Sequence, residues 1–175
     1  MRRMKLLLTA MLATGAGLAV VASAHAQAPQ RTTATYEDWT VRCETPAASP
    51  AQKSCEMVQT TQMQGQAAPV TQIAIGRPLK TDPLRLVIGL PVNVWLATPA
   101  KLVYDDKQPG LAAAFTRCVP QGCFADTTLS DDMIKRLRAR TEAGKLEFKD
   151  STQRDVAFPV SFKGFGQAFD ALMKE

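Results

Sequence analysis

The first 26 residues constrain the fold of this chain more than any other segment. Arg2, Arg3 and Lys5 make a positive start, residues 6–21 an apolar run, and Ala24-His25-Ala26 a small-residue cleavage signal. This is the pattern of a secretory signal peptide, with Gln27 the expected new N-terminus. The body that follows is therefore expected to fold outside the cytoplasm, where cysteines oxidise. Cleavage after Ala26 also discards His25, the single histidine of the sequence. Ser-His-Asp and Cys-His arrangements and imidazole-based metal sites are then excluded from the mature chain. Arg2-Arg3 is compatible with twin-arginine export, but any positive start supplies two adjacent arginines, and ordinary secretion is the simpler reading.

Removal of the leader changes the charge argument. The leader carries three of the 21 basic residues and none of the 16 acidic ones, so the mature balance falls to about +2. A nucleic-acid partner, which the precursor's basic pI suggests, loses its support. No later stretch approaches the ~18 consecutive apolar residues of a transmembrane segment. The 149 residues left after cleavage suit one domain. The expected organisation is residues 1–26 as signal peptide, 27–35 as a flexible leader without periodicity, and 36–175 as a single β domain.

Cys43, Cys55, Cys118 and Cys123 form an even set in an exported chain, so two disulfides are expected. Four cysteines allow three pairings. The local pairs Cys43–Cys55 and Cys118–Cys123 are favoured because turn-forming residues lie inside each: Pro46, Ser49 and Pro50 in the first, Pro120 and Gly122 in the second. A redox-active pair fits poorly, since four residues separate Cys118 from Cys123 where thioredoxin-like motifs have two. A zinc site would require four widely spaced thiols to escape oxidation.

Period-2 alternation and turn signals outline many short strands. They fall at residues 39–43, 55–63, 70–75, 84–88, 92–96, 101–104, 115–118, 123–125, 146–148 and 156–162. Two helices interrupt them. Ser130 is placed to cap one beginning at Asp131-Asp132, with Met133, Ile134 and Leu137 as its apolar stripe and Gly144 as terminator. A C-terminal helix from about Gly166 would align Phe165, Phe169, Leu172 and Met173. The Lys163-Gly164-Phe165-Gly166 stretch reads as entry geometry for this helix rather than a phosphate loop. The fold class expected is mainly β, a β-sandwich or partly open barrel with one internal and one C-terminal helix.

No catalytic, cofactor-binding or metal-binding residue emerges, and no cofactor is expected. Asp105-Asp106 and Asp131-Asp132 are adjacent pairs, but neighbours on a strand point to opposite faces, and capping accounts for the helical pair. The run Lys135, Arg136, Arg138, Arg140 could meet an anionic envelope surface or an acidic partner; as structure, it is the solvated face and last turn of a helix. Trp39 and Trp95 could form a binding surface, although their strand contexts favour packing in the core or at an edge. Residues 92–96 could also offer an edge for strand addition.

The ordered pieces resemble the invasion-associated locus B proteins of alphaproteobacteria. The resemblance rests on Tyr36-Glu37-Asp38-Trp39-Thr40-Val41-Arg42-Cys43, Cys55-Glu56-Met57, Leu90-Pro91, Cys118-Val119-Pro120-Gln121-Gly122-Cys123, and Phe158-Pro159-Val160-Ser161-Phe162-Lys163-Gly164-Phe165. Two positions depart from the pattern. Glu37 and Asn93 stand where glycine is common, which bears on local turn geometry. The resemblance implies an exported, β-rich protein of the periplasm or outer envelope, in a family named for a role in host-cell invasion. It carries over no catalytic residue. The expected function is non-enzymatic recognition of an envelope or host protein, or of an envelope surface. The alternatives are a carboxylate-dependent periplasmic hydrolase and a small-ligand carrier.

Overall fold

A computed structural model describes residues 30–49, 52–65 and 68–175. The leader and its cleavage position, Ala26 and Gln27, lie outside the described residues. Ten strands form one antiparallel sheet: β1 (Gln30–Tyr36), β2 (Trp39–Thr45), β3 (Ser54–Thr61), β4 (Thr71–Arg77), β5 (Arg85–Leu90), β6 (Ala100–Val103), β7 (Leu111–Val119), β8 (Gly122–Thr128), β9 (Gly144–Lys149) and β10 (Asp155–Val160). Their order across the sheet is β1-β2-β3-β4-β5-β8-β7-β6-β9-β10. Two helices, α1 (Asp131–Arg138) and α2 (Phe165–Lys174), complete the chain.

β7 explains how so wide a sheet buries one core. Its first residues, Leu111 to Ala113, pair with β6, and from Ala114 onward it pairs with β8. The register shifts between Phe115 and Arg117. A bulge at such a point bends a strand and lets it pass from one half of a sheet to the other. The two halves then face each other. Trp39, Met57, Ile75, Leu86, Ile88, Leu102, Leu137, Leu146, Val160 and Phe165 occupy the space between them, each almost completely buried. Full burial of one such aliphatic side chain stabilises by roughly 1.5–3 kcal/mol. The alternation that marks these strands in the sequence is the inward set: Trp39, Val41 and Cys43 on β2, and Leu86, Ile88 and Leu90 on β5.

The sheet does not close, because β1 and β10 are not partners. A side-chain clasp holds the two halves together instead. The Gln59 amide donates to the Ser161 carbonyl at 2.9 Å and accepts from the Ser161 N–H at 2.9 Å, so one side chain takes the place of a strand neighbour. The Trp39 indole donates to the same carbonyl at 2.9 Å. Trp39 meets Phe165 edge-on at 5.1 Å, which seats α2 over β2. α2 enters through Gly164 at φ +76°, where a Cβ would run into the Tyr36 carbonyl oxygen. The glycine is required there for both reasons.

Both disulfides form as the local pairs, Cys43–Cys55 and Cys118–Cys123. Each joins residues directly opposite one another on neighbouring strands, β2 with β3 and β7 with β8. Their Cα separations of 4.1 and 4.0 Å match the close, non-hydrogen-bonded type of antiparallel pair. Ser130 caps α1 as expected, accepting from the Met133 N–H at 3.3 Å.

Four expectations need correction. Residues 30–35, expected to belong to a flexible leader, form most of β1, paired along their length with β2. Residues 92–96 are not a strand; only Val94 bridges, to Asp150. α1 stops at Arg138, capped by Ala139, and Gly144 instead opens β9. On α2 the buried set is Phe165, Ala168, Phe169 and Leu172, with Met173 turned outward. Of the two positions departing from the family pattern, Glu37 does take a positive φ of 50°, and Asn93 does not.

Candidate functional site

Three of the large apolar side chains exposed among the described residues stand close together in sequence: Val92 is 54% exposed, Trp95 37% and Leu96 53%. They belong to the loop between β5 and β6. The alternation of this segment mimics a strand, but its inward residue is Val94, 8% exposed, and the larger apolar side chains face solvent. Trp39, by contrast, is core. Sequence reasoning thus places Trp39 correctly but does not identify Trp95 as an exposed anchor.

Hydrogen bonds to the β9–β10 turn hold this loop in place. The Trp95 N–H donates to the Lys149 carbonyl at 2.9 Å, and the Ser151 N–H donates to the Asn93 carbonyl at 3.1 Å. The turn is organised in turn by Asp150. Its carboxylate accepts from the Thr152 N–H at 2.9 Å, the Thr152 hydroxyl at 2.7 Å, the Arg154 N–H at 3.0 Å and Arg154 Nε at 2.8 Å. With the Thr152 hydroxyl as the largest contributor, these donors hold the Asp150 carboxyl far below the usual carboxylate range. Asp150-Ser151-Thr152 is an aspartate-led turn signal that sequence reading could have used. Val92 also lines a surface hollow of about 440 Å³, together with Val70, Pro91, Pro120 and Phe124.

The basic run of α1 is dispersed rather than gathered. Arg136 pairs with Asp132 at 2.8 Å and donates to the Gln108 side-chain Oε1 at 3.2 Å. Arg138 pairs with Asp170 of α2 at 2.6 Å and lies over the Phe169 ring, 5.3 Å from its centre. Arg140 pairs with Asp105 at 3.3 Å. Hydrogen bonding to Arg138 lowers the Asp170 carboxyl, and the same bond raises the Arg138 guanidinium. Lys135 is exposed. Three of the four cations are thus already opposed by carboxylates: Arg138 ties α1 to α2, and Arg140, just past the end of α1, ties the following segment to Asp105.

The adjacent carboxylates are divided in the same way. Asp105 faces Arg140, Asp106 lies 3.7 Å from Lys145, and Asp132 faces Arg136. Cys43, Cys55 and Glu175 come within ligand distance of one another, but the two sulfurs are bonded together and Glu175 pairs with Lys53. Among the described residues, no helix is long and apolar enough to cross a membrane.

Comparison with known proteins places this geometry. The family model of the invasion-associated locus B (IalB) protein matches residues 39–173. Invasion protein B homologues of Brucella abortus strain 2308 and of Brucella abortus biovar 1 strain 9-941 are each 32% identical over 146 residues, covering 79% of this chain and 77% of the relative. A crystal structure of invasion-associated protein B from Bartonella henselae superposes with a TM-score of 0.67. It covers 82% of this chain and 96% of that one at 20% identity, a likeness of fold. The disulfide-bonded β domain described above thus belongs to the invasion-associated locus B family.

Proposed function

We propose that this protein is exported to the periplasm or outer envelope and acts there without catalysis, by holding a partner protein on the loop that carries Val92, Trp95 and Leu96. The observation that carries the reading is the pairing of exposed apolar anchors with a fixed backbone. Trp95 and Leu96 offer apolar area to a partner, and the hydrogen bonds from residues 93 and 95 to the Asp150 turn order the loop in advance. A preordered aromatic anchor loses little entropy on binding, and such residues dominate the energetics of interfaces. Two disulfides among all four cysteines support an oxidising location. Invasion protein B homologues among the relatives make an envelope or host protein the natural class of partner.

The test is a crosslinking pull-down from intact envelopes with the wild type and a Trp95→Ala, Leu96→Ser variant. The expected result is a discrete partner recovered by the wild type and lost with the variant, while the melting temperature is unchanged. Equal recovery by both would remove the loop from the account. Recovery of the protein from the cytoplasmic fraction with reduced thiols would remove export.

A further inference from the structure

β1 is a strand whose existence the fold's own core does not explain. Its first six residues, Gln30 to Thr35, are all exposed, and only Tyr36 is partly covered. Ordering a residue's backbone costs about 1–2 kcal/mol, usually offset in part by burial that β1 does not obtain. Its hydrogen bonds to β2 satisfy one side. The other side is a sheet edge.

The register tells which groups point outward. Tyr36 and Trp39 close a two-residue loop, so they form a hydrogen-bonded pair, and the pattern alternates from there. Ala34, Thr32 and Gln30 direct their N–H and C=O groups toward β2, leaving those of Thr35, Thr33 and Arg31 facing outward. The close Cα approach of Cys43 to Cys55 agrees, since Cys43 spends its backbone bonds on Thr32.

We propose that this edge pairs with β1 of a second copy of the chain, antiparallel and two-fold about Thr33. In that register Arg31 of each copy lies opposite Thr35 of the other, and Thr33 opposite Thr33. About six backbone hydrogen bonds form, two from each facing hydrogen-bonded pair. The charges fit. Arg31 is the only charged residue of β1, and its two copies sit four residues apart along the ribbon, roughly 13 Å, beyond the screening length at physiological salt. Threonines facing each other across strands are a favourable pair. The opposite edge of the sheet explains why the assembly stops at two. β10 carries Asp155 and Pro159, and Pro159 has no N–H to offer, so that edge is blunted and the β1 contact closes on itself. A ribbon of this length buries less than the ~1,000 Å² of a stable interface, so the dimer is weak and reversible.

Sedimentation equilibrium of the exported, oxidised protein from about 10 μM to about 1 mM reads the association. Thr33→Pro removes an outward N–H and leaves the bonds to β2 intact. The expected result is a concentration-dependent dimer in the wild type, weakened at least tenfold by Thr33→Pro with no change in melting temperature. Oxidation of Thr33→Cys should give a covalent dimer on non-reducing gels, because residues opposite in a strand pair lie within disulfide reach. Thr35→Cys, opposite Arg31, should not. A monomer throughout the range, a dimer indifferent to Thr33→Pro, or equal crosslinking at both positions would overturn the proposal. A monomer whose Thr33→Pro form loses a partner protein's strand would assign the edge to that partner instead.

Discussion

Gln59→Ala removes the clasp between the two halves of the sheet. The amide makes two bonds of 2.9 Å to the backbone of Ser161 and a longer one of 3.3 Å to the Asp38 carbonyl. The Ser161 carbonyl keeps the Trp39 indole as donor, so its loss is partial. The Ser161 N–H, partly buried, is left without this partner. One net hydrogen bond of about 1 kcal/mol, plus an unsatisfied donor at about 1–2, gives a destabilisation of about 2–3 kcal/mol. For a domain of this size that corresponds to a fall in melting temperature of about 6–12 °C. Thermal unfolding under non-reducing conditions measures it, and hydrogen exchange at the Ser161 amide should accelerate in parallel. A fall of under about 1 °C, with Ser161 protection unchanged, would refute the view that one side chain stands in for a missing strand neighbour.

Glu37→Gly should stabilise the protein by up to about 1 kcal/mol, read from urea unfolding, because Glu37 sits at positive φ where glycine is unstrained and the gain exceeds the added unfolded-state entropy. Removing Cys43–Cys55 by double alanine substitution should cost about 3 kcal/mol and removing Cys118–Cys123 about 2, the order following the lengths of the loops they close. Asp150 has a lowered folded-state pKa, so its unfolded form binds the proton first on acidification. Its stabilisation is complete above the ordinary carboxyl range and is lost as pH falls through the folded value; Asp150→Asn should flatten the acid limb of the stability profile. Arg140→Ala should cost about 1 kcal/mol, since Arg140 is only 28% exposed and pairs with Asp105, whereas a purely solvated residue would leave the melting temperature unchanged.

What the sequence made legible follows from where each residue's partner lies. Strands with an inward apolar set, such as β2 and β5, were readable because burial imposes a period of two. β1 was not, because its threonines bury nothing and its strand state depends on pairing with β2. Residues 92–96 carry strand-like alternation for the opposite reason: Val94 anchors a loop while Val92 and Leu96 remain outside. The Gln59–Ser161 clasp spans 102 residues of sequence, and a glutamine on a strand otherwise reads as solvent-facing. The cysteine pairing was recoverable because both bridges are local. Arg136 and Arg138 lie on α1 as the sequence implies, whereas Arg140 falls beyond its end, and the aspartate partners of Arg138 and Arg140, at 170 and 105, belong to distant segments.

A photo-crosslinking residue placed at position 95 and activated in living cells interrogates directly the loop proposed to hold a partner. The account predicts a discrete higher-mass adduct from position 95 and none from position 80, an exposed site in the β4–β5 loop at the other end of β5. Identical labelling at both positions, or no adduct at 95 from correctly exported protein, would contradict it.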